Sequence, residues 1–303
     1  MKKKIAIIGA GYMASEYLKV LKDLRNVDLV GIIGKSKKNL NKIQKIKKIP
    51  IFKDAQTLFK FEKPDGIICV VNEMNTLKVL KSLNNYDCKI LCEKPIGINF
   101  DQAKKISRLK IKNKIYLALN RRYFSSTLRL KKFLKHDVSN RFIDIIDQEF
   151  PKISTSEKKR IRYWMYCNSI HLIDYIYLLG RGSIKKIVNN GSIKKGIVCS
   201  KIIFSNGDII LYRALWDRPG PWSINVSTKK NFYTLKPLEE LNYLNSQRKK
   251  SFFKRNYYDF KYKPGLYLLV DDFIKALKNK KHNLNNISYN LKLMKLINKI
   301  YNV

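Results

Sequence analysis

The sequence predicts an α/β protein: a first domain with a parallel sheet, then an α+β domain with an open, mostly antiparallel sheet. Up to about residue 121, short apolar runs alternate with helical patterns, which is typical of strands joined by right-handed helical crossovers. After that point, longer strand-like segments follow one another between helices. A chain of 303 residues is too long to fold around one small hydrophobic core, so we predict two domains, at 1–121 and 122–303.

The predicted strands of the first domain are apolar throughout, as expected when helices cover both faces of the sheet. Asn99 followed by Gln102 suits the start of a helix. The predicted strands are KKIAIIG, VDLVGIIG, PDGIICVV, KILC and KIYLALN, and the predicted helices are MASEYLKVLKDLRN, KKNLNKIQKIKK, NTLKVLKSLNN and DQAKKISRLK.

The second domain mixes helices with strands. Asn206-Gly207 predicts a tight hairpin, and residues 244–263, the least regular stretch, predict a basic surface loop. The predicted strands are RFIDIIDQEF, IKKIVNNGSI, GIVCSKIIF, DIILYRALW and WSINVSTKKNFYTL, and the predicted helices are STLRLKKFLKH, YCNSIHLIDYIYLLG, YLLVDDFIKALKN and SYNLKLMKLINKIYN.

The net charge is +40, with 63 lysines and arginines against 23 acidic residues. One interpretation is a nucleic-acid binder, supported by QRKKSFFKR. The lysines are instead scattered over every segment and greatly outnumber the arginines. This distribution favours a bias towards A/T-rich codons as the origin of the charge over a dedicated nucleic-acid surface. We therefore expect no nucleic-acid partner, although the charge should attract anionic ligands.

The location of the chain is predicted from its apolar segments and cysteines. No apolar run approaches the roughly 20 residues of a membrane span, and the first apolar run fits a strand and turn better than a secretory signal. The five cysteines show no metal-ligand spacing and are expected to be reduced thiols, most of them buried. We expect a cytoplasmic protein without a metal site.

A glycine-rich turn follows the first predicted strand. It has the pattern G-x-G-x-x-A, in which the first glycine permits a tight turn, the second lets the backbone approach a pyrophosphate, and the alanine allows close helix packing. This position between strand and helix predicts a Rossmann dinucleotide-binding domain. The predicted cofactor contacts come from Gly9, Ala10, Gly11, Tyr12 and Met13.

The end of the second strand indicates which nicotinamide dinucleotide binds. An NAD-preferring site places an acidic residue there for the ribose hydroxyls, whereas this chain has Lys35 and Ser36 in GKSKK. These groups suit a 2′-phosphate, so we expect NADP in preference to NAD. The alternative is that the lysines belong to the general lysine excess.

Taken in order, these motifs resemble those of the glucose–fructose oxidoreductase/inositol dehydrogenase (Gfo/Idh/MocA) family over nearly the whole chain. In the first domain they are the glycine turn, Asn72 in VVNEMN, the E-K-P of Glu93-Lys94-Pro95, and LNRRY. In the second, NSIHLIDYIYLLG matches the histidine helix of the family at His171 and Asp174. Asn75 stands where the family usually has histidine.

The second domain also departs from the family. Cys167 replaces the aspartate that usually lies four residues before the histidine, and Ser169 replaces a small glycine. The usual acidic partner of the catalytic pair is therefore missing. Tyr166 and Asn168 are candidate substitutes.

The resemblance implies hydride transfer between a nicotinamide and a carbon that bears a hydroxyl or carbonyl group. His171 is then the candidate general acid/base, and Lys94 the candidate that hydrogen-bonds the reacting oxygen. Glu93 would orient Lys94 or approach the nicotinamide ribose, and the bond before Pro95 is often cis in the family. Without the resemblance, His171 would be a core histidine.

Four further residues receive candidate roles. Asn72 is expected to meet the cofactor. Arg121 or Arg122 would hold the substrate or the carboxamide, or else form a salt bridge at the domain interface. Asn168 is expected to bind or orient the substrate, and Asp174 to orient His171 from one helical turn away.

The resulting prediction is an NAD(P)-dependent oxidoreductase acting on a sugar or nucleotide sugar, with surface-polysaccharide synthesis suggested by PGPW and KPLE. We expect a homo-oligomer that associates through the second sheet. The alternative is a non-catalytic cofactor or sugar sensor on the same fold, favoured by the missing aspartate and by Asn75.

Overall fold

A computed structural model describes residues 2–154 and 158–303. Contacts within it divide the chain into two compact units. The first unit consists of two segments, the residues up to Asn120 and Lys261–Lys292. The second consists of Arg121–Phe260 and Leu293–Val303. The predicted α/β and α+β architecture is confirmed. The sequence had placed 122–303 wholly in the second domain, whereas the structure returns Lys261–Lys292 to the first.

The first unit is built on a sheet that is parallel except at one edge. In the described part of the chain its strand order is β15-β6-β5-β4-β1-β2-β3. Its strands are β1 (Lys3–Ile8), β2 (Val27–Ile33), β3 (Ile51–Phe52), β4 (Gly66–Cys69), β5 (Lys89–Glu93), β6 (Ile115–Ala118) and β15 (Asn285–Asn286). Its helices before residue 120 are α1 (Tyr12–Lys22), α2 (Lys37–Ile46), α3 (Ala55–Phe61), α4 (Thr76–Ser82) and α5 (Phe100–Ile106).

The central strands are apolar because both of their faces are covered. All four residues of β4 are buried, as are the last four of β1. The predicted cap of α5 is confirmed, since the Asn99 side chain accepts a hydrogen bond from the Gln102 amide at 2.9 Å.

The late segment joins the first unit through a helix and an edge strand. Helix α11 (Leu266–Leu277) contacts α1, and a methyl group added at Gly66 would lie 2.9 Å from Leu277. In β15, Asn285 pairs antiparallel with Leu117 of β6. No sequence pattern predicts this return, because a strand of two residues is too short to show a period.

The second unit holds a sheet of order β14-β13-β12-β11-β7-β10-β9-β8 in its described part. Only the β7–β10 pairing in it is parallel. The strands are β7 (Phe142–Glu149), β8 (Ile184–Ser192), β9 (Ile197–Phe204), β10 (Ile209–Trp216), β11 (Ser223–Ser227), β12 (Asn231–Leu235), β13 (Leu241–Asn245) and β14 (Lys250–Phe253). Between β6 and α11 the helices are α6 (Ser125–Leu134), α7 (Pro151–Ser154), α8 (Lys158–Arg162), α9 (Ile170–Leu179) and α10 (Tyr257–Lys261). The last helix of the chain is α12 (Ile287–Tyr301).

Two predictions for the second unit need correction and one is confirmed. WSINVSTKKNFYTL is not one strand but two, β11 and β12, joined at Thr228, whose amide donates to the Asn231 carbonyl at 2.9 Å. The predicted loop at 244–263 is wrong, because β13, β14 and α10 occupy most of it. Within it, Phe253 of β14 stacks on Tyr243 of the adjacent strand β13. The Asn206-Gly207 hairpin forms between β9 and β10, with Gly207 at φ +89°.

Among the described residues, no helix has the length and apolar character needed to cross a membrane. Cys69, Cys88, Cys92 and Cys167 are buried, Cys199 is partly exposed, and all five are free thiols.

Candidate active site

Four predicted cofactor segments of the first unit lie at one edge of its sheet. Gly9 follows β1, Lys35 and Ser36 follow β2, Asn72 follows β4, and Lys94 follows β5. These four strands run parallel, so their carboxyl ends share an edge, where open α/β sheets bind ligands.

The glycine turn is shaped for close approach by a ligand. Gly9 has φ +116°, and a methyl group there would lie 2.4 Å from the carbonyl oxygen of Val70. Gly11 precedes α1 as its N-cap, and a methyl group there would meet no described heavy atom within 4 Å. Open space above the first amides of an 11-residue helix fits a pyrophosphate, so these residues suit a nicotinamide dinucleotide.

The residues after β2 lie beside this turn. A methyl group at Gly34 would lie 2.6 Å from the side chain of Ala10. The hydroxyl of Ser36 caps α2 by accepting a hydrogen bond from the Asn39 amide at 3.3 Å. The side chain of Lys35 is exposed. The structure thus places an exposed lysine and a helix N-terminus beside the glycine turn.

Asn72 lies three residues after the end of β4. Its side-chain oxygen accepts a hydrogen bond from the Met74 amide at 2.9 Å and begins a 3-10 turn, Glu73–Asn75. The sequence had placed Asn72 next to the cofactor, and the structure adds this local capping role.

Glu93 is the last residue of β5, and Lys94 follows it. The hydroxyl of Tyr17, a buried residue of α1, donates to the Glu93 carboxylate at 2.7 Å. Burial raises the pKa of Glu93, although the positive charge of Lys94 acts in the opposite direction. The pKa of Tyr17 is raised by its own burial and by the negative charge of Glu93. The peptide bond between Lys94 and Pro95 is cis, as the resemblance led us to expect. Glu93 is therefore held from α1, a contact that the sequence did not reveal.

In the second unit, His171 stands on α9 immediately after a π-helical turn, Met165–Ser169. Such turns widen a helix locally and are frequent at functional sites. Both His171 and Asp174 are buried. Asp174 accepts two hydrogen bonds from Arg122, at 2.6 and 2.7 Å. The predicted alternative for either arginine is a salt bridge at the domain interface, whereas this ion pair joins two residues of the second unit.

Two acidic residues of β7 join this region and were missed from the sequence. Glu149 accepts hydrogen bonds from Trp164 at 2.8 Å and from the Asn168 amide at 2.7 and 2.8 Å. Burial and the neighbouring Asp147 charge raise the pKa of Glu149 to about 8. Alternate residues of β7 are buried, so both acids point to the core side, and that alternation was the available signal.

Asp147 is fully buried beneath a chain of hydroxyl groups. Tyr212 donates to it at 2.5 Å, and the Tyr212 hydroxyl lies 2.8 Å from that of Tyr301. Tyr301 in turn donates to Ser169 at 3.2 Å. Burial raises the pKa of Asp147, which favours its protonated form. Ser169, one of the departures from the family, is thereby connected to a buried acid.

Arg121, the other candidate substrate residue, places its guanidinium 4.5 Å from the centre of the Trp222 ring. Burial lowers the pKa of this guanidinium. Among residues 2–154 and 158–303, no group of three or more histidine, cysteine or acidic side chains could hold a metal ion.

Residues 3–120 match the model of the Gfo/Idh/MocA family, which is described as an oxidoreductase family with an NAD-binding Rossmann fold. The resemblance drawn from the sequence motifs is confirmed. A comparison with curated protein sequences gives no match.

Solved structures share the fold over nearly the whole chain. A dehydrogenase from Chromobacterium violaceum has a TM-score of 0.84 and 13% identity, covering 99% of this chain and 94% of its own. UDP-N-acetylglucosamine 3-dehydrogenase from Acidithiobacillus ferrooxidans has a TM-score of 0.80 and 12% identity, and the match covers 99% of this chain and 97% of that protein. An Agrobacterium radiobacter oxidoreductase, solved with NAD⁺, L-tartaric acid and magnesium, has a TM-score of 0.78 and 14% identity, and the match covers 100% of this chain and 96% of that protein.

Proposed function

We propose that this chain, whose first unit carries the NAD-binding Rossmann fold of the Gfo/Idh/MocA oxidoreductases, moves hydride between NAD(P) and a secondary alcohol or ketone of a sugar or nucleotide sugar. The observation that carries the proposal is the common sheet edge at which three neighbouring strands, β1, β4 and β5, lead to the glycine turn, to Asn72 and to Glu93-Lys94. A sugar substrate is supported by the similarity of fold to a UDP-N-acetylglucosamine 3-dehydrogenase.

The dinucleotide would be held by the first unit. The backbone at Gly9, Gly11 and the start of α1 would bind its pyrophosphate, and Lys35 and Ser36 a 2′-phosphate, which favours NADP. When bound, the nicotinamide supplies or accepts the hydride. Asn72 and Glu93 would contact its nicotinamide half.

Lys94 would stabilise negative charge on the reacting oxygen. Lys94 follows the carboxyl end of β5, and the half-buried Glu93 precedes it in the chain. A charged donor near a developing alkoxide stabilises that alkoxide more than the neutral hydroxyl, which lowers the barrier.

His171 would take the hydroxyl proton in oxidation and return it in reduction, because an imidazole titrates near neutral pH. The π-helical turn before it displaces the preceding residues relative to a regular helix. Asn168 and Glu149 supply polar groups in the same unit, although position 167 holds a cysteine. Asn168 would bind or orient the substrate.

We also propose self-association through the second sheet. Phe142, Phe232 and Phe252, at three points of this sheet, are 46%, 43% and 47% exposed. Phe232 borders one groove with Phe142 and another with Phe252, so the three rings follow one another across the sheet. Contiguous exposed apolar residues of this kind mark protein interfaces.

A cofactor titration followed by a turnover panel tests the function. NADPH and NADH binding are measured by calorimetry, and hydride transfer is followed at the nicotinamide absorbance with sugars and nucleotide sugars. Turnover of any sugar supports the proposal. Cofactor binding without turnover across the panel would favour the non-catalytic sensor instead.

A further inference from the structure

The guanidinium of Arg121 has a buried nitrogen without a hydrogen bond. Its Nη1 atom bonds to none of the residues that the structure describes. Four other arginines of the unit bond to carboxylates or carbonyls: Arg122 to Asp174, Arg141 to Leu134 and Leu179, Arg181 to Asp208, and Arg213 to Asp144. A buried N–H group without an acceptor costs free energy, which a ligand that accepts its hydrogen bond would recover.

The guanidinium borders a cavity of about 470 Å³ that lies entirely within the second unit. This volume lies in the range of roughly 300–1,000 Å³ that is usual for small-molecule sites. Trp222, Phe124 and Leu238 provide apolar walls, while Lys236 adds a second positive charge. The Trp222 ring lies against Arg121, which fixes the plane of the guanidinium.

None of the described acidic residues nearby forms a hydrogen bond with the Arg121 side chain. Glu239 also lines the cavity, but its charge acts on Arg121 less strongly than those of Asp147 and Glu149. Burial raises the pKa of each of those two acids, which opposes their ionisation. The cavity thus keeps a positive wall beside apolar ones.

We infer that this cavity binds the anionic group of the substrate, a carboxylate or a phosphate attached to a sugar-sized body, with Arg121 as the main ligand and Lys236 as the second. A planar guanidinium can bind either anion through two parallel hydrogen bonds. The apolar face of the sugar would pack on Trp222. The inference rests on the proposed function in taking the bound molecule to be the substrate.

Binding of three probes tests the inference without requiring turnover. D-glucose 1-phosphate, D-glucuronate and D-glucose are titrated by calorimetry at low salt into the intact protein, with and without NADPH. We expect at least one anionic probe to bind the unmodified protein tenfold or more tightly than glucose. A preference for the phosphate or the carboxylate identifies which anion the cavity accepts.

Variants locate the binding site. Arg121→Gln should reduce the affinity for the anionic probe to that for glucose, and Lys236→Gln should reduce it severalfold. Lys236 is exposed, so that variant keeps the test valid if Arg121→Gln fails to fold. Arg108→Gln, which removes an exposed charge from the first unit, should change nothing.

Three results would overturn the inference: no preference of the unmodified protein for either anionic probe, unchanged binding in the Arg121 and Lys236 variants, or an equal loss in Arg108→Gln. The binding titrations and the turnover panel distinguish failure of this inference from failure of the proposed function. If the protein binds the anionic probe through Arg121 but turns over no sugar, the anion site stands and the proposed reaction does not.

Discussion

The side-chain amide of Asn168 donates hydrogen bonds to both carboxyl oxygens of Glu149, at 2.8 and 2.7 Å. Asn168 lies next to Cys167, the position at which related oxidoreductases usually carry an aspartate. An acidic group is therefore present beside this turn, but β7 supplies it instead of the helix. Because Glu149 is buried next to Asp147, its pKa is raised to about 8.

The buried Glu149 should make stability fall as pH rises. Its folded-state pKa of about 8 lies above the value of about 4.3 expected in the unfolded chain. Between these values only the folded state holds the proton, so the free energy of unfolding decreases with pH. We expect Glu149→Gln to remove much of this slope and to be more stable than the unmodified protein at pH 8.5, by an amount on the order of a few kcal/mol.

Urea unfolding at pH 5 and pH 8.5 measures this effect. Glutamine keeps an oxygen that can accept from Trp164 or Asn168, so the change isolates the ionisation. Asp28→Asn, at an exposed position of β2, is the matched control and should leave the pH slope unchanged. An identical slope in Glu149→Gln and the unmodified protein would show that Glu149 is already ionised at neutral pH.

The alternating strands and helices and the glycine turn were sufficient to predict the first sheet, because each element carries its own local pattern. The return of Lys261–Lys292 was not predictable, since its edge strand spans only two residues, Asn285 and Asn286. The contact between Tyr17 and Glu93 joins residues 76 apart, and no local spacing encodes it.

The acids of β7 could have been found from the sequence. RFIDIIDQEF was predicted as an alternating strand, and alternation places Asp147 and Glu149 on the face of Ile143 and Ile145. Charged residues on an otherwise apolar face indicate a buried polar cluster.

Replacing either proposed catalytic residue should slow turnover and leave dinucleotide binding intact. We expect Lys94→Ala and His171→Ala each to lower kcat by roughly 10²–10⁴-fold, the usual contribution of a group that handles a proton or a developing charge. Lys105→Ala and His136→Ala, both at exposed positions, are the matched controls. Near-normal turnover in either catalytic variant would refute the role of that residue.

Gly11→Ala should separate cofactor binding from folding. A methyl group at Gly11 meets no described atom within 4 Å, and the residue has φ −80°, which alanine adopts without strain. Loss of a glycine N-cap costs about 1 kcal/mol at most, whereas the methyl group would occupy the space that the pyrophosphate needs. We expect NADPH affinity to fall tenfold or more, measured by calorimetry, with little change in Tm.

Gly9→Ala provides the contrast to this variant. Its methyl group would lie 2.4 Å from the Val70 carbonyl oxygen at φ +116°, so we expect a marked loss of stability. If Gly11→Ala binds NADPH as tightly as the unmodified protein does, the pyrophosphate does not lie at Gly11.

Lys35→Glu should reverse the preference between the two dinucleotides. The exposed lysine follows β2, at the position where an acidic residue would bond the ribose hydroxyls of NAD. A glutamate there repels the 2′-phosphate of NADP and accepts hydrogen bonds from the ribose. We expect the ratio of NADPH to NADH affinity to fall by about 100-fold, which corresponds to roughly 2.7 kcal/mol.

The matched control for Lys35→Glu is Lys42→Glu, which makes the same change of charge on the exposed side of α2. Screening acts on both variants alike, so a general effect of the net charge would weaken NADPH equally in the two. A specific contact predicts a change of ratio in Lys35→Glu alone. If the two variants behave alike, or if the unmodified protein binds NADH as tightly as NADPH, Lys35 does not select the cofactor.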